Sequence, residues 1–125
     1  MRKIISQFVF IFILITSFSC AQQDSTKNMS IEKFKDELKN NNKLIVLDVR
    51  TPQELEGPLG KIDGVINIPI QELEQRIGEL KDYRSKEIAV ICRSGNRSSI
   101  GTEILIKNGF NAKNVLGGMN AFRKK

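Results

Sequence analysis

Cys92 opens a run, Cys92-Arg93-Ser94-Gly95-Asn96-Arg97-Ser98, in which nearly every residue bears on the reactivity of a thiol. The thiolate is the nucleophile, and an unperturbed cysteine with a pKa of ~8.5 is mostly protonated at neutral pH. A short loop centred on Gly95 can turn the N–H groups of residues 93–97 inward as an anion nest. Arg93 and Arg97 add permanent charge and no proton to give away. A helix starting near Ser98 adds the partial positive charge of its N-terminus. Together these features favour a thiol in the ~3.5–7.5 range of activated cysteines. A core cysteine at a strand end is the bland alternative. Two arginines, two serines and a glycine directly after Cys92 argue against it.

The elements that position this loop read clearly. Glu87 to Ile91 forms a short buried strand, so Cys92 sits where a strand's carboxyl end feeds a helix, the usual ligand position of open α/β sheets. After Ser98, Ile100, Ile104 and Leu105 give a helical period that Asn108-Gly109 stops. Ser30 caps a packing helix with Ile31, Phe34 and Leu38 on one face. Leu44 to Leu47 is a second buried strand, running into Asp48-Val49-Arg50. Thr51-Pro52-Gln53-Glu54 has a threonine cap, proline at the first helical position and glutamate at the third, a capping box. Val65 to Ile68 and Val115-Leu116 are short strands. Ile70, Leu73, Ile77 and Leu80 mark an amphipathic helix, and Met119 to Phe122 start a last one. Four strands alternating with helices predict a three-layer α/β/α domain with a mostly parallel sheet.

Composition narrows the chemistry. The 125 residues include no histidine and two cysteines, Cys20 and Cys92, which leaves no histidine base and no structural zinc site. Neither a metal nor an organic cofactor is implied. The net charge of +6 falls by two, to +4, without Arg2 and Lys3. The lysines are scattered and tryptophan is absent, so no nucleic-acid partner is expected. The remaining positive field favours small anions.

The loop from Cys92 to Ser98 resembles the active-site loop of rhodanese-type sulfurtransferases. So do Leu47-Asp48-Val49-Arg50-Thr51-Pro52-Gln53-Glu54, Gly60-Lys61-Ile62-Asp63-Gly64-Val65-Ile66-Asn67-Ile68-Pro69 and Val115-Leu116-Gly117-Gly118-Met119-Asn120-Ala121-Phe122. The resemblance spans residues 30–125. Two departures stand out: Lys61 replaces the family's usual histidine, and the loop at Gly57-Pro58-Leu59-Gly60 is longer than its commonest spacing. The resemblance implies a rhodanese-like fold and sulfur transfer through a persulfide on Cys92. Arg93, Ser94, Gly95, Asn96 and Arg97 would bind a small anionic sulfur donor such as thiosulfate, and a thiol or cyanide would accept the sulfur. The resemblance implies that Asp48 and Arg50 support the loop, whereas the residues themselves favour a structural reading: a strand-end acid, an ion pair and, at Glu54, a cap. A persulfide carrier or docking module without turnover is an alternative, as is a cysteine-dependent phosphatase. Against the phosphatase, the loop is Cys-x4-Arg, one residue shorter than the Cys-x5-Arg phosphatase ring.

Residues 1–20 read as an export signal: Arg2-Lys3, an apolar run from Phe8 to Ile15, then small residues before Cys20. Ser19-Cys20 resembles the lipobox of bacterial lipoproteins, with Ser17 where leucine is usual, and implies that Cys20 is lipidated. Ordinary cleavage after Ala21 and an uncleaved anchor are the alternatives. Each places residues 30–125 outside the cytoplasm; the lipobox reading gives a periplasmic domain held to a membrane through a lipid anchor. Residues 21–29 read as a flexible polar tether.

Overall fold

A computed structural model describes residues 26–125. The expected export signal, Cys20 and residues 21–25 of the tether lie outside the described residues. Five parallel strands form one sheet: β1 (Asn28–Met29), β2 (Ile45–Asp48), β3 (Ile66–Asn67), β4 (Glu87–Ile91) and β5 (Asn111–Val115), in the order β1-β5-β4-β2-β3. Five α-helices flank them: α1 (Ile31–Asn40), α2 (Pro52–Leu55), α3 (Leu73–Arg76), α4 (Asn96–Lys107) and α5 (Gly118–Arg123).

Strand alternation sends neighbouring side chains to opposite faces, and the two faces carry separate cores. Val46, Ala89, Ile91 and Val115 pack with Met29, Phe34 and Met119 under α1 and α5. Leu47, Ile88, Val90 and Cys92 pack with Leu73, Leu80 and Leu105 on the α3 and α4 side. Each fully buried side chain of this size contributes roughly 1.5–3 kcal/mol. The three-layer α/β/α expectation is thus met, and the sheet is wholly rather than mostly parallel.

Several boundaries differ from the sequence reading for physical reasons. Asn28–Met29, read as the end of a tether, is an edge strand in register with Asn114 and Val115. Two residues, one of them polar, carry no periodicity. β5 extends back to Asn111 through Lys113 and Asn114, whose polarity hid it. The segment from Ile70 to Tyr83 is no continuous α-helix but α3 between two 3-10 stretches, Ile70–Glu72 and Ile77–Tyr83. Apolar spacings of three and four residues fit both helix types. Ser30 and Thr51 cap α1 and α2 as expected, the latter in a complete capping box.

The strand order explains where the chemistry lies. From β2 the chain passes to β3 on one side, and from β4 it passes to β5 on the other. The carboxyl ends of β2 and β4 therefore flank the topological switch point, where α/β sheets leave a crevice. Asp48 ends β2 and Cys92 follows β4.

Candidate active site

β4 delivers Cys92 to the crevice almost completely covered, 1% exposed. The chain then turns sharply to enter α4, which starts at Asn96, two residues earlier than the periodicity indicated. Gly95 makes this possible: its φ of 106° lies in the left-handed region, and it occupies the N-cap position with no side chain to cap the helix. The sulfur fills that role. Gly95 N–H donates to Cys92 Sγ at 3.1 Å, and Ser98 Oγ lies 3.2 Å from it. Burial of the sulfur opposes ionisation. The Ser98 hydroxyl and the N–H groups of Ser98, Gly95 and Ser94 outweigh it, so the thiol ionises below its ordinary range. The nest expected from residues 93–97 is thus built from Ser94, Gly95 and Ser98.

A second layer holds the loop from behind. The N–H groups of Met119 and Asn120, at the start of α5, donate to the carbonyls of Cys92 at 2.8 Å and Arg93 at 3.0 Å. Ser98 Oγ donates to Asn114 Oδ1 at 2.6 Å, and Asn114 Nδ2 lies 3.5 Å from Asn28 Oδ1. Ser98, Met119 and Asn120 fall in the segments that carry the sequence resemblance, whereas Asn28 and Asn114 fall in none of them.

The two arginines play different parts. Both terminal nitrogens of Arg97 donate to Glu54, each at 2.8 Å. This fork ties the loop to α2, because Glu54 points its two oxygens at Arg97 while also closing the Thr51 capping box. Arg93 is exposed on the loop and lines a cleft of about 400 Å³ with Arg50, Glu54, Pro58, Leu59 and Asn120. Ser94 and Asn96 are exposed beside it. Lys61 contributes its carbonyl, which accepts from Arg123 Nη2 at 3.2 Å, while Arg123 Nε holds Leu59 O at 2.8 Å. That clip fixes the longer loop as a wall of the cleft.

Asp48 and Arg50 form a buried pair, each side chain 1% exposed, with Arg50 Nη2 at 2.8 Å from Asp48 Oδ2. Arg50 also reaches the carbonyls of Gly60 at 2.8 Å and Glu54 at 3.4 Å. Asn67 Nδ2, on β3, donates to the carbonyls of Asp48 and Arg50 at 3.0 and 2.8 Å. The resemblance implies that this pair supports the cysteine loop; its hydrogen bonds run instead to the cleft walls, at the Gly60 and Glu54 carbonyls.

The hydrogen bonds from Arg97 hold Glu54 well below the ordinary carboxylate range, at about 2 instead of 4.5. A lowered acid pKa stabilises the fold above about 4.5, and that stabilisation is lost as pH falls through about 2. Acid titration followed by urea unfolding is expected to show roughly 1 kcal/mol lost over this window, a modest amount because the pair is partly exposed. Glu54→Gln should remove that pH dependence; an unchanged dependence would place the acid sensitivity elsewhere.

The site is thus a buried cysteine at the switch point of a parallel sheet, its sulfur met by the Gly95 N–H and the Ser98 hydroxyl. Residues 30–125 match the family model of the rhodanese-like domain, and the chain belongs to that family. YrkF of Bacillus subtilis, whose name provisionally assigns it sulfur carriage, is 36% identical over 86% of this chain and 56% of its own length. The chain thus spans little more than half of that relative. Thiosulfate sulfurtransferase PspE of Escherichia coli is 30% identical over 58% of this chain and 68% of its own. The crystal structure of a rhodanese-related protein from Thermoplasma volcanium superposes with a TM-score of 0.68 at 38% identity, covering 77% of this chain and 89% of that one.

Proposed function

We propose that this chain is a sulfurtransferase that carries sulfane sulfur from a small anionic donor, such as thiosulfate, to a thiol or cyanide. The carrying observation is the Cys92 sulfur held 3.1 Å from the Gly95 N–H and 3.2 Å from Ser98 Oγ. The Cys92 thiolate attacks the outer sulfur of thiosulfate; the S–S bond of the donor breaks and sulfite leaves with its electron pair. The resulting persulfide keeps its negative charge on the outer sulfur, facing fixed N–H dipoles that need no reorganisation. An acceptor thiolate or cyanide then attacks that outer sulfur, and the Cys92 thiolate is released. Two half-reactions through a covalent intermediate give ping-pong kinetics. Arg93, which forms no ion pair among the described residues, draws the anionic donor to the cleft.

Intact mass of the domain before and after thiosulfate tests this. One sulfur atom is expected to be gained, lost again on adding cyanide, and absent in Cys92→Ser. Loading without turnover would instead make the chain a persulfide carrier. Hydrolysis of a phosphate ester with no sulfur gain would make it a phosphatase, a reading weakened by the commitment of Arg97 to Glu54.

We further propose that the domain is exported and tethered through acylated Cys20 to a bacterial membrane, facing the periplasm. The charged start, the apolar run and Ser19-Cys20 support this. A mature protein beginning at Gln22 and found wholly in the soluble fraction would overturn it.

A further inference from the structure

Ser98 has one hydroxyl proton and two buried claimants for it. Its Oγ lies 3.2 Å from Cys92 Sγ and 2.6 Å from Asn114 Oδ1. Ser98, Cys92 and Asn114 are 0, 1 and 5% exposed, so water offers no substitute donor. A hydroxyl donates once and accepts through its lone pairs. While the proton points to Asn114, Ser98 can only accept from the neutral Cys92 thiol. When Cys92 ionises, the sulfur needs that proton and Asn114 must give it up.

We infer that Asn114 is a positioning residue that competes with the Cys92 sulfur for the Ser98 proton and so sets how readily the thiolate forms. Its carbonyl end is turned to Ser98 because its amide end faces Asn28 Oδ1, at 3.5 Å, across the parallel β1–β5 pairing that aligns Asn28 with Asn114. The edge strand is therefore coupled to the nucleophile by three side-chain hydrogen bonds.

Of the charged groups around Cys92, Arg97 of α4, closed by Glu54 of α2, interacts with it electrostatically; Arg93 follows it in the loop, and the Asp48–Arg50 pair lies at the end of the neighbouring strand β2. The start of α5 brings only the uncharged Met119 and Asn120. None of the charged groups is altered by neutral substitutions at Ser98 or Asn114.

The inference rests on Cys92 being the nucleophile proposed above, but its test needs no sulfur donor. The rate of iodoacetamide alkylation of Cys92 against pH reads the thiolate directly. Asn114→Leu, which neither accepts nor donates, is expected to lower the alkylation midpoint by roughly one pH unit. Ser98→Ala is expected to raise it. In the Ser98→Ala background, adding Asn114→Leu should move nothing further, an outcome that loosened packing alone would not give. Should Asn114→Leu fail to fold, Asn28→Ala replaces it: freeing the amide to turn its NH2 toward Ser98 should lower the midpoint in the same direction. An unmoved or raised midpoint in the Asn variant, or an equal shift with and without Ser98, overturns the inference. Persulfide formation, scored separately by mass, reports on the sulfur-transfer reading whatever the midpoint does.

Discussion

Gly118→Ala is expected to slow persulfide formation at Cys92 by about a hundredfold, a size typical of angstrom-scale misplacement of a reacting group. A Cβ at this position would stand 2.5 Å from the Cys92 carbonyl oxygen and 2.7 Å from the carbonyl carbon and oxygen of Arg93. All three are backbone atoms, so no side chain can swing away. The φ of 56° adds the left-handed strain of an L residue, about 1–2 kcal/mol. Relief requires the cysteine loop to back away from α5. The two clamps from the N–H groups of Met119 and Asn120 then lengthen, and the sulfur moves relative to its donors. Apart from Cys92 and Met119, the cores on the two faces of the sheet lie away from this contact, so the variant should melt cooperatively, several degrees lower. Gly78→Ala is the matched control: nothing lies within 4 Å of an added methyl there, and its φ is negative. Stopped-flow persulfide formation should separate the two variants sharply. A native rate in Gly118→Ala would show that the clamp does not position the sulfur.

What could be read from the sequence was local. The strand that delivers Cys92, the loop chemistry and the Thr51 capping box each lie within a few consecutive residues, and each was visible. The contacts that complete the site are not local. Arg97 finds Glu54 forty-three positions away, and Ser98 finds Asn114 sixteen away. Only the strand order brings them together, and no periodicity encodes it. Arg97 looked like a free cation because nothing near it in the chain is acidic. Asn114 looked like a loop residue because a polar side chain inside a strand breaks the apolar run by which buried strands are recognised. Its burial is explained by its hydrogen bonds, and those bonds serve the cysteine. Polar residues that depart from the local pattern thus mark the site, as expected where local rules yield to function.

The largest loss of stability is expected from Asp48→Ala. Asp48 Oδ1 accepts from the backbone N–H and from Nε of Arg50, each at 3.0 Å, while Oδ2 accepts from Nη2 at 2.8 Å. Deleting the carboxylate strands a guanidinium that is 1% exposed, and an unpaired buried charge of this kind costs about 3–5 kcal/mol. A domain of this size holds only about 5–15 kcal/mol in total. Calorimetry should show Tm falling by roughly 20 °C, given about 4–8 °C per kcal/mol for small domains. Arg50 would also be free to leave the Gly60 and Glu54 carbonyls, so the cleft wall should loosen and the apparent affinity for the anionic donor should fall with it. The paired replacement Asp48→Ala with Arg50→Met separates charge from architecture. Removing both charges is expected to restore much of the lost stability, since a buried ion pair is often no better than apolar packing. It should not restore the cleft, because methionine cannot donate to Gly60 or Glu54. A double variant as unstable as the single one would show that the carbonyl contacts of Arg50, rather than its pairing with Asp48, hold β2 to the rest of the site.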